Sequence, residues 1–477
     1  MSDSKSNNTV FRAGAAKVEI TPVMGTQIAG DIGRRRPAEV ILEPLFAKAL
    51  VLDDGISNLC FLSLDLLAAT KEWCQLIRNS IEERFAIPAE RVTVHVTQNH
   101  AAPSLGHLMV TETNTLLPEG PEWAWARGGD DAYHPYVVAR VLEATAMAIE
   151  QMEPAHIGIG RGIDGRFAFN RRYVMRDGSA AMMPGRCNPD ILHMEGPSDP
   201  EVGIALITND KLENLAVLLH HTCHPVHGYP MNYISSGWPG AWCDCMEDVL
   251  GQKCVAMVVN GCCGNVIHDN HLDPDHNGSD YKAMGAGLAQ TAIQALKRMT
   301  YMKQPLLQAA NKHLSIPMRQ IPETRLEKAR KTLLAEPMPR MDQSRNRISW
   351  DWWYAMSTLD VYNHWGPNAQ FDYEIQAFRI GDLGLIAFGG EPFVQGQLKI
   401  KYESPAPYTF IAHMCNYYVG YIPTSEALDR GGYETWTGLG SKLHPDALNQ
   451  ISNQAIALLE SLFGQKQPQT GNKDPGE

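Results

Sequence analysis

Apolar and polar residues follow two regular patterns along the chain, in segments separated by turn-forming residues. Alternation, or a short apolar run bounded by turns, predicts a strand, and apolar residues three to four positions apart predict a helix. The strands predicted in this way span residues 16–22, 46–52, 59–64, 91–97, 255–259, 374–388 (a pair around Gly381) and 409–414. The predicted helices span residues 71–85, 136–152, 281–299, 323–337 and 445–463. Because strands and helices alternate throughout, we expect an α/β fold of layered mixed sheets with flanking helices.

The patterned region, residues 11–463, is predicted to be a single domain between a disordered N-terminus at residues 1–10 and a polar tail at residues 464–477. Residues 323–372 are predicted to be a helical insertion or a lid, because tryptophans crowd into them. We assign Trp352 and Trp353 of this segment to substrate binding, where they would stack on a sugar ring or line an apolar slot. The alternative is a small packed core around a long helix.

Composition narrows the possible partners. The net charge of the 477-residue chain is −12, and an acidic chain lacks the positive surface that nucleic acid requires. No apolar run is long enough to span a bilayer, and the first nine residues lack the apolar segment of a signal peptide.

The ten cysteines do not show the paired spacing of a zinc knuckle. They are typical of reduced, buried thiols, so we predict a cytoplasmic protein.

Four histidines end the apolar run at residues 215–219: His220, His221, His224 and His227. Imidazole is the commonest metal ligand in proteins and the usual acid or base near neutral pH. The run reads as a strand, and strand ends converge on one edge of an α/β sheet, where ligands bind. At least one of these side chains is therefore predicted to belong to a functional site. The alternative is that they fill space or bond to the backbone.

Several short motifs, taken in order, resemble the catalytic domain of the neutral, non-lysosomal ceramidase family. They are residues 13–22 (AGAAKVEITP), 44–52 (PLFAKALVL), 63–66 (SLDL), 97–103 (TQNHAAP), 223–226 (CHPV), 260–266 (NGCCGNV), 389–393 (GGEPF) and 420–424 (GYIPT). The resemblance runs from about residue 11 to residue 463. Each motif is weak alone, and their shared order predicts the fold of that domain.

The resemblance implies a zinc amidase that splits the amide of an N-acyl sphingoid, with zinc held by two histidines, a glutamate and a tyrosine. It places His224, Glu391 and Tyr421 at three of these four positions, where nitrogen, carboxylate and phenolate suit zinc. It also places His100 at a catalytic histidine. Arg171 matches an arginine that would clamp a carboxylate or stabilise an oxyanion.

The chain departs from the family pattern at two positions of the site. Gln98 stands at the remaining zinc-ligand position, and an amide oxygen is a poor zinc ligand beside imidazole. Ile267 stands where the family has its nucleophilic serine, with His268 next to it. We therefore expect a small subfamily without that serine and without the family's C-terminal immunoglobulin-like domain. Water would attack directly, and His100 or His268 would move its proton.

These observations leave three functional hypotheses. The first is a zinc-dependent hydrolase of an amide or ester bond in a small soluble substrate. The second is a carbohydrate-active enzyme, a glycoside hydrolase or a lyase on an acidic oligosaccharide, and the third is a non-catalytic binding protein on the same scaffold. For an enzyme, the predicted catalytic residues are His100, Arg171, His268 and Tyr421. The predicted substrate-binding residues are Gln98, Asn99, Arg172, His227, Tyr229, Trp352 and Trp353.

Overall fold

The computed structural model describes residues 10–344 and 346–466 of the chain. Its α-helices are α1 Lys71–Phe85, α2 Tyr133–Glu150, α3 Gly237–Leu250, α4 Tyr281–Leu296, α5 Glu323–Ala335, α6 Trp350–Trp365, α7 Val394–Glu403, α8 Ser425–Arg430 and α9 Ala447–Phe463. The predictions for residues 1–9 and for the tail from residue 467 onward lie outside the described residues.

The first half of the chain contains strands β1 Arg12–Glu19, β2 Val40–Ile41, β3 Phe46–Asp53, β4 Asn58–Leu64, β5 Val92–Val96, β6 Glu153–Ile163, β7 Phe169–Asn170, β8 Arg172–Met175, β9 Ala180–Met182, β10 Ile191–Met194, β11 Glu201–Asn209 and β12 Asn214–His221. The second half contains β13 Tyr233–Ile234, β14 Val255–Asn260, β15 Val266–Ile267, β16 Thr300–Met302, β17 Leu307–Pro317, β18 Met341–Asp342, β19 Arg347–Ile348, β20 Gln370–Ile380, β21 Leu383–Phe388, β22 Glu391–Pro392, β23 Tyr408–Ala412 and β24 Tyr421–Ile422.

Three sets of four strands share one topology, and we name them units A, B and C. Unit A contains β1, β3, β4 and β5, unit B contains β6, β11, β12 and β14, and unit C contains β17, β20, β21 and β23. In each unit the first three strands are antiparallel neighbours in chain order, and the fourth strand runs parallel to the third. A helix makes each parallel crossover, namely α1, α3 or α7. The repetition lies in the topology, since the amino-acid sequence shows no repeat.

Units A and B belong to one nine-stranded sheet, joined by the antiparallel pairing of β1 with β6, and unit C is a separate four-stranded sheet. One face of each unit contributes to a shared central core, which includes Leu50 of unit A, Leu218 of unit B and Leu385 of unit C. The other face packs against helices: α1 and α2 cover unit A, α3 and α4 cover unit B, and α7 and α9 cover unit C. Strands that are buried on both sides read as continuous apolar runs. The predicted α/β fold of layered mixed sheets with flanking helices is confirmed.

Helices α5 and α6 lie between the first two strands of unit C in the chain and pack against each other. Their contact buries Leu326 and Ala329 of α5 against Ala355 and Leu359 of α6. The segment predicted as an insertion or lid thus has a small packed core of its own. None of the helices in the described part of the chain has the length and apolar character needed to cross a membrane.

A buried ion pair links unit A to α3. Lys48 Nζ lies 3.1 Å from Asp65 Oδ1, and both side chains are almost fully buried. Asp65 also accepts a hydrogen bond from the backbone N–H of Phe46, and Cys243 Sγ of α3 lies 3.6 Å from Lys48 Nζ. We expect Lys48→Met to lower the free energy of unfolding by about 3–5 kcal/mol, because the Asp65 charge stays buried without its partner.

Urea denaturation measures this loss. The matched control is Lys71→Met, whose partner Asp372 lies in an ion pair exposed by more than half on both sides. That change should cost about 0–1 kcal/mol. Equal losses for the two variants would contradict the prediction.

Candidate active site

Loops at the ends of strands in all three units carry the predicted site residues to one place. Gln98 and His100 follow β5 of unit A, His224 follows β12 of unit B, and Glu391 follows β21 of unit C. Tyr421 lies beside Glu391, because β22 and β24 pair in parallel with these two residues in register. Residues more than 300 positions apart in the chain therefore meet, as the strand-end argument predicts.

Asn260, the last residue of β14, joins the three units under the site. Its side-chain amide donates hydrogen bonds to the backbone oxygens of Thr97 in unit A and Cys223 in unit B, at 3.0 and 3.2 Å. Its own backbone oxygen accepts from the N–H of His413, which follows β23 of unit C. The side chain is fully buried, so these bonds hold the loops against one another without competition from water.

Two imidazoles form a neutral pair at the centre of the site. The Nε2 atoms of His100 and His224 lie 2.9 Å apart, so one of them must carry the hydrogen. His224 Nδ1 lies 3.2 Å from the backbone oxygen of Cys263, to which it can donate. Burial and nearby arginines lower the pKa of His100 to about 3, and burial lowers that of His224 well below its usual value. Both rings are therefore uncharged at neutral pH.

Glu391 faces this pair as a buried carboxylate. Its Oε1 accepts a hydrogen bond from the hydroxyl of Tyr418 at 2.9 Å. Its Oε2 lies 3.9 Å from His224 Nε2 and has no hydrogen-bond partner among the described residues. Burial raises the pKa of Glu391 above its usual value, against the opposing effects of Arg171 and the Tyr418 hydroxyl. A carboxylate with a raised pKa and a free oxygen is suited to accept a proton.

Arg171 supplies the positive charge of the site. Its Nη2 donates to the hydroxyl oxygen of Tyr421 at 3.1 Å, and its Nε donates to Glu434 Oε1 at 3.0 Å. Glu434 is fully buried and also accepts from Arg172 Nη1 at 2.7 Å. The guanidinium is thus fixed from behind by Glu434, with its outer nitrogens turned towards Tyr421 and His224.

A pocket that is partly open to solvent leads to these groups. Its polar end presents His100, Glu391, Gln98, Tyr418 and Tyr421, and its aliphatic lining consists of Leu67, Leu108, Met109 and Met414. Its aromatic lining consists of Trp353, Tyr354, Tyr433 and Trp436. The combination of an apolar lining with a few convergent polar groups is typical of a small-molecule site.

The first group of predicted substrate-binding residues divides between the pocket and its supports. Gln98 lines the pocket in a left-handed backbone conformation with φ of 64°, which costs energy for any residue other than glycine and is often found at active sites. Asn99 turns away, and its side chain bonds to the backbone of Ala101 and Ser235. Trp353 lines the pocket, whereas Trp352 is fully buried and donates to the backbone oxygen of Glu336.

The second group lies outside the pocket lining. Arg172 is fully buried and bonds to Glu434 and Glu195, so it supports the arginine beside it. His227 and His268 stack on each other with ring centres 3.6 Å apart, and neither ring reaches the pocket wall. Tyr229 is 42% exposed. The catalytic role of His268 and the binding roles of His227 and Tyr229 therefore stay predictions, and we give them no part in the chemistry below.

The side chains at the implied zinc-ligand positions are engaged with one another and with their neighbours. Gln98 Oε1 accepts from the thiol of Cys263 at 3.2 Å, and the Tyr421 oxygen accepts from Arg171. His224 Nε2 is in hydrogen-bond contact with the neighbouring His100 imidazole. Across residues 10–344 and 346–466, no group of three or more His, Cys, Asp or Glu side chains is arranged to hold a metal ion. The residues present do not fit a four-ligand zinc site, so zinc stays unconfirmed and we derive no step through it.

Gly30 makes room for His100. Its φ of +87° is unfavourable for other residues, and a β-carbon at this position would lie 2.5 Å from His100 Nδ1. We expect Gly30→Ala to displace the imidazole and to lower kcat/KM by roughly 100-fold, as misplacement of a reacting group by about 1 Å does. Steady-state kinetics on a hydrolysed N-acyl amide or ester would measure the loss. The control is Gly178→Ala, because Gly178 also has a positive φ but lies in open space. Comparable losses in both variants would contradict the role given to Gly30.

No family model matches the chain, and no curated protein matches it in sequence. Among solved structures, the neutral ceramidase from Pseudomonas aeruginosa is similar over 96% of this chain and 75% of its own, with a TM-score of 0.70 and 15% sequence identity. A ceramidase complexed with C2 is similar over 95% of this chain and 75% of its own, with a TM-score of 0.70 and 14% identity. At such identities the likeness concerns the fold. The resemblance predicted from the short motifs is confirmed at that level: the chain has the fold of neutral ceramidase.

Proposed function

We propose that the protein is a hydrolase that cleaves an amide or ester bond in a small substrate by direct attack of water. The observation that carries this proposal is the convergence of His100, Glu391 and Tyr421 on the polar end of one pocket, with His224 and Arg171 directly behind them. An acid–base pair and a donor for the carbonyl oxygen are what acyl hydrolysis needs. The ceramidase fold supports the assignment, since an amide is the bond that a ceramidase splits.

Proton transfer falls to Glu391, beside the neutral imidazole pair. A water molecule in the pocket would lose its proton to the free Oε2 of Glu391 as it attacks the carbonyl carbon, and the carboxylic acid formed in this way would give the same proton to the leaving amine or alcohol. His100, held by its 2.9 Å contact with His224, would position the reacting groups next to it. Ile267 is buried and carries no nucleophile, so nothing at that position competes with water.

The carbonyl oxygen would be held by Tyr421 with Arg171 behind it. Arg171 donates to the Tyr421 oxygen, so the hydroxyl hydrogen of Tyr421 is available to the adjacent Glu391 carboxylate or to a substrate oxygen that replaces it. Burial raises the pKa of Tyr421 well above its usual value, which keeps that hydrogen in place at neutral pH. As negative charge develops on the substrate oxygen, the fixed guanidinium stabilises it through this bond.

A panel of N-acyl amides and esters, with release of the amine or alcohol measured, tests the proposal. We expect hydrolysis that is lost in His100→Asn and Tyr421→Phe and that persists after treatment with a chelator. Elemental analysis of the same sample reports whether zinc is present, independently of activity. Hydrolysis that disappears with the chelator would reinstate the zinc enzyme. Ultraviolet-absorbing unsaturated sugars formed from acidic oligosaccharides would favour the carbohydrate-active enzyme, for which we find no supporting observation.

A further inference from the structure

Three basic side chains, the buried Lys442 and the partly buried Arg319 and Arg325, lie behind one wall of the pocket without a carboxylate partner. This wall is the loop of residues 435–441, which we call the rim loop. Arg319 Nη1 donates to Thr435 O at 2.8 Å, Arg325 donates to Thr437 O, and Lys442 Nζ donates to Leu439 O at 2.9 Å. These bonds go to neutral backbone oxygens, and none of the three cations has an ion pair in the described part of the chain.

The lowered pKa values of these groups reflect the absence of a nearby negative charge. Burial, together with a smaller effect of Arg319, lowers the pKa of Lys442 to about 7. Burial, together with a smaller effect of Arg325, lowers the pKa of Arg319 to about 10. In each case no neighbouring carboxylate opposes the shift. A buried charge without a partner is costly, so a ligand that supplies a negative charge would be favoured here.

Arg36 is a further buried cation near the pocket. Its side chain is fully buried, and its hydrogen bonds all go to backbone oxygens, including that of His100 at 3.2 Å, with the Asp31 carboxylate close enough to raise its pKa. By contrast, Arg171 and Arg172 are paired directly with Glu434 and Glu195. The three basic side chains behind the rim loop therefore differ from the other arginines of the site in having no nearby carboxylate.

The rim loop also offers hydrogen-bond donors. The carbonyl oxygens of Thr435, Thr437 and Leu439 are bound by the cations. The backbone N–H groups of Thr437 and Gly440, two residues that line the pocket, have no partner within the described residues. The free peptide N–H groups of the rim loop, together with the cations bound to its carbonyl oxygens, form a suitable surface for a carboxylate.

We propose that the substrate carries a carboxylate, which binds at the rim loop while an apolar or aromatic group occupies the rest of the pocket. The substrate class is then an N-acyl amino acid or a related acyl compound with a free carboxylate. This inference rests on the proposed hydrolase for the bond that is cleaved, but the preference for the anion is a property of the pocket itself. It can therefore be measured by binding alone.

Calorimetric titration of the full chain with N-acetylphenylalanine and with N-acetylphenylalaninamide tests the proposal, because the two probes differ only in the charged group. We expect the carboxylate to bind at least about tenfold more tightly at pH 7, the effect of one partly screened charge interaction near 1.4 kcal/mol. Equal affinity, tighter binding of the amide, or no binding of either probe would overturn the proposal. If hydrolysis is not found but the carboxylate preference is, the proposed function fails and this inference stands.

Variants of Arg325 test whether the preference for the carboxylate arises at the rim loop. Arg325→Gln should reduce the ratio of the two affinities several-fold, whereas Arg325→Lys, which keeps the charge, should retain most of it. Arg330→Gln, on an exposed face of α5 where it pairs with Glu323, is the control and should leave the ratio unchanged. A ratio that is the same in Arg325→Gln and in the wild type would overturn the assignment to the rim loop. The wild-type comparison keeps the proposal testable if either Arg325 variant fails to fold.

Discussion

Glu391→Gln is expected to lower kcat/KM by about 10²- to 10⁴-fold, the usual contribution of a positioned general base. Glutamine keeps the size of the side chain and can still accept from Tyr418, but it cannot take a proton from water. Steady-state kinetics on the hydrolysed substrate measures the loss. Tyr418→Phe is the matched control, because it removes the bond to Oε1 and leaves the free Oε2 in place. A Tyr418→Phe loss as large as that of Glu391→Gln would contradict the role given to Oε2.

The same substitution should make the protein more stable at neutral pH. The pKa of Glu391 is raised in the folded state, so the folded protein binds more protons than the unfolded chain between the usual value of 4.5 and the raised one. Stability is therefore lost as the pH rises through this window, and the loss persists above it. Urea denaturation at pH 4 and pH 8 should show the advantage of Glu391→Gln over the wild type growing with pH. A variant that is less stable at pH 8 would show that the carboxylate holds the site together.

Arg171→Met is expected to lower kcat/KM by about 10²- to 10³-fold, the usual cost of removing a donor that stabilises an oxyanion. Arg171→Lys keeps the charge but cannot reach Tyr421 and Glu434 together, so its activity should be intermediate. Methionine also leaves part of the Glu434 charge without a partner, and the free energy of unfolding should fall by about 3 kcal/mol. Arg330→Met, which breaks an exposed ion pair, is the control and should cost about 0–1 kcal/mol.

Two measurements separate the catalytic from the structural part of this effect. The activity of Arg171→Met is compared at a temperature where denaturation curves show that the variant is fully folded. A fully folded variant with wild-type kcat/KM would refute a role of Arg171 at the substrate oxygen. If Arg171→Lys keeps the wild-type stability but not the activity, catalysis depends on the paired N–H donors of the guanidinium and not on the positive charge alone.

Elements with a strong local pattern were predictable from the sequence. Helix α1 begins and ends where its apolar spacing predicts, and β3 and β14 extend one residue beyond their predicted ends. Strand β17 was not predicted, because its middle residues, such as Asn311 and Lys312, are polar on an edge strand with one partner. Helix α7 is only ten residues long, too short for its spacing to stand out.

The site could be predicted where a strand end or a family motif marks it. His100, His224, Glu391 and Tyr421 meet as expected, since each follows or forms a strand-like segment. Glu434 and Tyr418 were missed, because their positions depend on how loops of unit C fold back onto β22 and Arg171. His268 follows the short strand β15 and stacks on His227 outside the pocket lining, so its predicted catalytic role stays a prediction.

The joining of the three units at one buried side chain has a consequence for anyone who would redesign this protein. Each unit brings its own loop to the cleft, and the side chain and backbone of Asn260 tie these loops together. A protein engineer who grafts a new reactive group onto this frame should therefore retain Asn260 and exchange only side chains that line the cleft.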